Sequence, residues 1–386
     1  GELFLFCPEI LRLLFFIHSL DGGGAERVTA SLANHWVQQG RGVTIVTVAR
    51  CARDAYVLDP AVERIELDLA RQSANRLAGL VQNLRRIWRL RRVLKQRQPD
   101  IAIAMMTESS ISLAWAALGL RGLGTIGCER IHPPQHPLGS LWETLRRYSY
   151  GALSAVVALT QESADWIRKN TKARRVDVIP NAANWPLPEL LPRIEPDAIF
   201  PAHRRLVLAV GRLEVQKGFD WLIEAFAMQA LAHRDWDLVI LGDGPERDRL
   251  QARIDAAGLA GRIHLPGRAG NMPLWYQRAD LYVMSSRFEG FPNTLLEALM
   301  YGVPAVSFDC DTGPRDIIDH EVNGLLVPRG DAGRLSAAMG RLMSDGDLRG
   351  KLAMAAHDVK KRYAIDKIEK KWAVLFGELL NADARK

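Results

Sequence analysis

The stretch RFEGFPNTLLEALMYGVPAV, residues 287–306, decides how this chain is read. It sets two carboxylates, Glu289 and Glu297, eight positions apart around a turn that opens a helix. The apolar run before it, residues 281–284, reads as a strand, and ligands of an open α/β sheet collect beyond the carboxyl ends of its strands. Gly290 lets backbone approach a ligand closely, and Pro292 suits a position just ahead of a helix start. Gly302 and Pro304 then end the helix and launch the next strand. A ligand is not the sole explanation. Thr294 and Glu297 also fit a capping box, Thr-x-x-Glu, and on that reading Glu289 is an ordinary loop carboxylate.

Outward from this stretch, both halves of the chain alternate strand with helix. Strands are expected at residues 11–18, 43–49, 65–68, 101–105, 124–128 and 155–159 in the first half. In the second they are expected at 206–210, 237–241, 263–265, 281–284 and 305–308. Such alternation implies two doubly wound parallel sheets with right-handed crossovers. Between them lies an aperiodic segment holding Pro186, Pro188, Pro192, Pro196 and Pro201. The expected division is a first domain at 1–185, a linker at 186–203, a second domain at 204–366 and a terminal helix at 367–386. Residues 1–9 read as an extension ahead of the first strand.

A chain of 386 residues with 48% hydrophobic and 25% charged composition is long enough for two cores and has the balance of a soluble globular protein. Cys7, Cys51, Cys128 and Cys310 are scattered without metal-ligand spacing, which suits a reducing cytoplasm. No apolar run approaches a bilayer span, and the run at residues 3–7 is too short for a signal-peptide core.

The net charge of +7 falls entirely within residues 1–190, which carry 24 Lys and Arg against 17 Asp and Glu. Between Asp68 and Asp100 no acidic residue occurs, while Arg76, Arg85, Arg86, Arg89, Arg91, Arg92, Lys95 and Arg97 crowd one helix. Leu77, Leu80, Val81, Leu84, Ile87, Trp88 and Leu94 form its apolar stripe at helical spacing. Such a helix can lie on anionic headgroups through Arg85, Arg86, Arg89 and Arg92 with Trp88 at the interface, or pack on the sheet with its basic face in water.

Two Gly-rich loops follow strands. DGGGAER, residues 21–27, frees backbone amides at a helix start, an anion site in principle. A dinucleotide fingerprint would need Gly where Arg27 stands and an acidic residue where Arg50 stands, so NAD is not expected. In GRLEVQKGF, residues 211–219, Arg212 as a fork and Lys217 as a point charge can meet one diphosphate; a lone basic pair in a loop is usually solvated surface, but the strand–loop–helix setting and Gly218 favour an anion site.

Taken together, the two glutamates, GR-x4-KG at 211–218, LGDGPE at 241–246 and HLPGR at 264–268 resemble the retaining GT4 glycosyltransferases, in the family's order and spacing. The resemblance implies an α/β GT-B fold, two Rossmann-like parallel-sheet domains facing a central cleft. It implies that Arg212 and Lys217 neutralise the leaving diphosphate, that Glu289 with the backbone of Gly290, Phe291 and Pro292 faces the donor sugar, and that Glu297 holds the ribose. The Gly23 and Gly24 loop would lie against the diphosphate and the acceptor, and Arg268 near the nucleobase. The terminal helix would cross back onto the first domain. Many members carry a His after the strand matching residues 124–128. Here Arg130 stands at that position, His132 lies two residues on, and Glu129 is a candidate for an acceptor hydroxyl. Arg130 and His132 are therefore candidates for catalysis and acceptor binding, with His132 equally readable as a satisfied loop residue.

The activity so implied moves a hexose or N-acetylhexosamine from a UDP-linked sugar to a polyprenyl-diphosphate-linked glycan, as in O-antigen assembly. The expected place is the inner face of the cytoplasmic membrane, as a cytoplasmic peripheral protein on its anionic surface. No cofactor, metal or nucleic acid is expected. The D-x-D triplets at 235–237 and 309–311 are too short to weigh against the basic pair. The alternatives are a nucleotide-sugar epimerase and a non-catalytic nucleotide-sugar-binding protein. A glycosidase would leave Arg212, Lys217 and the Gly loops without a role.

Overall fold

The structure is a computed structural model that describes residues 10–70, 76–135, 137–183 and 185–383. The extension expected at residues 1–9, with Cys7, lies outside the described residues, as do the side chains of Arg76, Leu77 and Leu80. The chain divides into two units, Gly1–Pro180 with Glu369–Lys386, and Asn181–Ile368.

The first unit runs β1 (Arg12–Ile17), α1 (Gly24–Gln38), β2 (Gly42–Thr47), β3 (Glu63–Glu66), α2 (Arg76–Arg97), β4 (Ile101–Met105), α3 (Thr107–Ala116), β5 (Gly124–Cys128), α4 (Ser140–Ser149), β6 (Ala155–Ala158), α5 (Gln161–Asn170) and β7 (Val176–Val178). Its strands form one parallel sheet in the order β3-β2-β1-β4-β5-β6-β7. Five consecutive residues of β1 are buried, because a strand covered on both faces needs apolar side chains at every position. Alternation along the pleat sends them to different layers. Leu14 and Phe16 pack among residues of α2, α3 and α5. Phe15, between them, stacks on Trp36 of α1 with ring centroids 5.2 Å apart.

The second unit runs β8 (Arg205–Val210), α6 (Phe219–Gln229), β9 (Trp236–Leu241), α7 (Arg247–Ala256), β10 (Ile263–Gly267), α8 (Met272–Arg278), β11 (Leu281–Met284), α9 (Asn293–Met300), β12 (Ala305–Asp309), α10 (Pro314–Ile317), β13 (Gly324–Pro328), α11 (Ala332–Ser344), α12 (Gly346–Ala356) and α13 (Asp358–Tyr363). Its sheet is also parallel, in the order β10-β9-β8-β11-β12-β13. The last helix, α14 (Ile365–Asp383), belongs from Glu369 onward to the first unit. There Trp372 and Phe376 meet Trp36 edge-on, at 5.9 and 5.3 Å. Arg41 closes the same contact through an ion pair to Glu369.

Both sheets are doubly wound, and each reverses its direction of growth once, between β1 and β4 and between β8 and β11. At such a switch point the loops splay apart and leave room for a ligand. One sequence expectation changes. The buried side of α2 is Leu90, Val93 and Leu94, whereas Val81, Leu84 and Trp88 of the expected core stripe are exposed. Among its described side chains, those of the second half of this helix are the ones that cover core. No helix among the described residues is long and apolar enough to cross a membrane.

Candidate active site

At the β8–β11 switch, three loops of the second unit converge. Gly218 has φ of +61°, and a Cβ there would lie 2.1 Å from the carbonyl oxygen of Ser285. Glycine therefore lets the loop after β8 press against the end of β11. The contact sets Lys217 beside Glu289, with Nζ 2.7 Å from Oε1. Ser286 Oγ donates to the same oxygen at 2.6 Å, and Thr312 Oγ1 donates to the Glu289 carbonyl at 2.6 Å. Arg287 braces the loop through paired bonds to Asp220 of 2.9 and 2.8 Å. Arg212 behaves differently. Its side chain is 64% exposed and meets Glu214 at 3.1 Å, so its guanidinium stays open to a ligand.

Glu297 lies inside α9 and is buried. The capping box is not formed. The helix begins at Asn293 after Pro292 with no side-chain cap, so Thr294 is already inside it. Thr294 Oγ1 accepts from Tyr282 OH at 2.8 Å instead, and Glu297 Oε2 accepts from Tyr276 OH at 2.9 Å. Phe291, next to Gly290, is buried against Tyr363 with centroids 5.4 Å apart. Arg268 is exposed just beyond β10. Both D-x-D triplets are committed elsewhere. Arg315 pairs with Asp309 and Arg329 with Asp311, while Asp237 is buried between Arg204 and Arg262. Among the described residues, no three His, Cys, Asp or Glu side chains gather as metal ligands.

In the first unit a cavity of about 240 Å³ opens at the β1–β4 switch. Its wall includes His18, Glu26, Arg86, Met106, Ser109, Glu129, Trp142 and Arg146. Glu129 is held by Thr107 Oγ1, which donates to Oε2 at 2.8 Å, and by Tyr150 OH, which donates to Oε1. The buried Arg146 guanidinium stands 3.9 Å from Oε1. Burial raises the Glu129 carboxyl above its ordinary range, a push that Tyr150, Arg146 and Thr107 only partly offset. Burial and the same carboxylate push the Tyr150 phenol well up.

Arg130 and His132 are not among the residues lining this cavity. Arg130 is buried, with Nη2 3.4 Å from Met105 Sδ. His132 is buried with Nδ1 2.9 Å from Ser163 Oγ. Gly23 caps α1 without a side chain, and its carbonyl accepts from Tyr56 OH at 2.9 Å. The α2 cations separate into two sets. Arg85, Arg89 and Arg92 are exposed, whereas Arg86 turns inward and donates to the Leu69 carbonyl at 2.9 Å. Spacing gave no signal for Tyr276, Tyr150 or Arg146, whose partners lie 17 to 21 residues away. Ser286, three residues before Glu289, was within reach of a local reading.

The model of the glycosyl transferases group 1 family matches residues 193–359, and that of a glycosyl transferase 4-like domain matches residues 23–182. The exopolysaccharide phosphotransferase SCO2592 of Streptomyces coelicolor is 34% identical over 82% of this chain, and the match spans 34% of that protein's own length. An undecaprenol-diphosphate-glycan alpha-1,4-N-acetyl-D-galactosaminyltransferase of Campylobacter jejuni is 27% identical over 97% of this chain and 100% of its own. Among solved structures, Anabaena HepE in complex with UDP superposes with a TM-score of 0.75 at 20% identity, covering 95% of this chain and 100% of the other. At that identity the likeness is one of fold, the GT-B architecture of two parallel-sheet units.

Proposed function

This chain belongs to the glycosyl transferases group 1 family, and from that premise we propose that it is a retaining enzyme moving a hexose or N-acetylhexosamine from a UDP-linked donor to a polyprenyl-diphosphate-linked glycan. The observation that carries the proposal is the 2.7 Å pair of Lys217 and Glu289 at the β8–β11 switch, with an open Arg212 in the same loop as Lys217. A cation for phosphate and a carboxylate for hydroxyls stand one bond apart, as a sugar nucleotide requires at the junction of sugar and diphosphate. The Campylobacter relative, whose acceptor is an undecaprenol-diphosphate glycan, and the UDP complex of HepE support the choice of substrates.

In this mechanism the diphosphate draws Lys217 from Glu289, and Arg212 takes its other side. As the glycosidic bond stretches, charge grows on the leaving oxygen, and fixed cations stabilise that state more than the bound substrate. Glu289, released from its pair, accepts from sugar hydroxyls beside the Gly290–Pro292 backbone. Glu297, oriented by Tyr276, accepts from the ribose, and Arg268 lies by the base. The leaving phosphate takes the acceptor proton, so no enzymic nucleophile is needed. Metal-independent turnover follows, because basic side chains carry the diphosphate charge. Glu129 receives the acceptor at the first-unit cavity, and Arg130 and His132 shape the loop around it. The protein works on the inner face of the cytoplasmic membrane, where Arg85, Arg89 and Arg92 attract anionic headgroups.

The test is incubation with a panel of nucleotide sugars and a synthetic polyprenyl-diphosphate glycan, with product mass and anomeric configuration read out. One added sugar from a UDP donor, with configuration retained and turnover unchanged by chelator, is expected. Inverted configuration, or no transfer from any UDP sugar, would overturn the proposal.

A further inference from the structure

The helices that line the first-unit cavity also carry exposed apolar side chains. Trp88 of α2 is 58% exposed, Trp115 of α3 is 48% exposed and Tyr148 of α4 is 60% exposed. Leu84 of α2 and Leu118, just after α3, are about half exposed as well. We infer that the outer surface of α2, α3 and α4 is one docking face for an anionic bilayer, into which α3 and α4 insert aromatic and leucine side chains while α2 supplies the charge. The inference deepens the membrane reading above and rests on it for the sign of the partner's charge.

Three observations carry it. First, the helices form a single layer. Arg91 Nη1 donates to the carbonyls of Ala116 and Leu118 at 2.8 and 2.6 Å, tying α2 to the end of α3. Trp115 Nε1 donates to Ser149 Oγ at 3.0 Å, tying α3 to α4 and leaving the indole ring to the outside. A ring with its polar atom satisfied and its apolar body exposed suits the headgroup level of a membrane.

Second, the charge that α2 exposes is of one sign, while the exposed Glu108 of α3 lines the cavity. Arg85, Arg89, Arg92 and Lys95 are exposed and, among the described residues, hold no carboxylate. Arg92 sits 5.9 Å over the Trp88 ring and Arg147 5.9 Å over the Tyr148 ring, so cation and aromatic are interleaved. A second copy of this face would bring like charges together, whereas an anionic bilayer neutralises them and accepts the rings.

Third, the face adjoins the cavity. Asn83 and Arg86 line the cavity while Leu84 and Arg85 are exposed, and on α4 Trp142 lines it while Leu141 is exposed. Docking on this face therefore sets the cavity rim at the headgroups, where an acceptor anchored by its lipid is presented.

The test is vesicle flotation of the full chain with phosphatidylglycerol-containing and purely zwitterionic vesicles, at low and at 1 M salt. Leu118→Ser with Tyr148→Ser is the insertion variant, and it spares the Trp115 hydrogen bond. Leu118→Met with Tyr148→Phe, which keeps the apolar bodies, is its control and should float like the parent. The parent should float with anionic vesicles, less so in high salt but not to zero. The insertion variant should lose the salt-resistant part, roughly tenfold at 1 M salt. It should keep transfer to a water-soluble acceptor and lose transfer to the lipid-linked one. An insertion variant that floats like the parent at high salt overturns the inference, even if reversing Arg85, Arg89 and Arg92 to Glu abolishes binding at low salt. A parent that ignores anionic vesicles also overturns it, while unchanged transfer to the soluble acceptor leaves the sugar-transfer proposal standing.

Discussion

The two switch points use carboxylates in opposite ways. At β8–β11, Glu289 pairs with Lys217, and Arg212 in the same loop as the lysine is exposed; on the reading proposed above, a ligand's phosphate takes both cations. At β1–β4, Glu129 is locked among Tyr150, Thr107 and Arg146, and burial raises its proton affinity. The second unit presents exchangeable charge, and the first a fixed and largely desolvated one. Exchangeable charge fits a ligand that arrives as an anion. A fixed carboxylate in a cavity wall fits one recognised by its hydroxyls.

The sharpest way to break this contrast is Lys217→Ala. Loss of a preorganised cation should lower kcat by roughly tenfold to a thousandfold. Near-parental turnover in a folded variant would mean that the lysine serves only to neutralise Glu289.

Next come the two glutamates, which should part company. Glu297→Ala should weaken free UDP by roughly tenfold to a hundredfold, as for a lost bond to a charged group. Glu289→Ala should lower turnover yet leave UDP affinity equal or tighter, because Lys217 no longer has to be drawn from a partner. Calorimetry with UDP and with the intact sugar nucleotide separates these outcomes, and equal losses for UDP in both variants would reject the exchange.

Tyr276→Phe sharpens the comparison more gently. It removes the bond that orients Glu297 while keeping the ring stacked on Tyr301 at 5.6 Å. A rise in donor KM of roughly twofold to tenfold with little change in kcat is expected. A kcat loss with unchanged KM would place Tyr276 elsewhere in the mechanism.

The smallest effect belongs to the first unit and is one of stability. Glu129 holds its proton more tightly folded than unfolded, so the native state carries more protons in the window just above the ordinary carboxylate range. Stability should therefore fall as pH rises through that window. Glu129→Gln should flatten the slope in thermal melts taken at stepped pH. Parallel slopes for parent and variant would show that another group titrates there.

The same contrast explains what was legible in the sequence. Central strands such as β1, β4 and β8 announce themselves, since burial on both faces demands unbroken apolar runs. The edge strands β7 and β13 passed unread. The first has three half-buried residues, one of them charged, and the second runs from Gly to Pro. The second unit's charged loops were legible because Gly218 and the residues around it are local necessities of a turn. The first unit's network was not, because Glu129, Tyr150 and Arg146 meet only after β5 and α4 have packed. On α2 a stripe was legible but not its partner, and Val81, Leu84 and Trp88 of that stripe face outward.

The contact of Trp372 and Phe376 with Trp36 has a consequence for biosynthesis. A ribosome finishes Pro180 long before it reaches Glu369, with the whole second unit still to be made. At about 5–20 residues per second, the nascent first unit waits on the order of ten to forty seconds with Trp36 lacking the cover of Trp372 and Phe376. Over that interval the chain is a client for chaperones that hold apolar surface, and a premature stop anywhere in the second unit would strand it there.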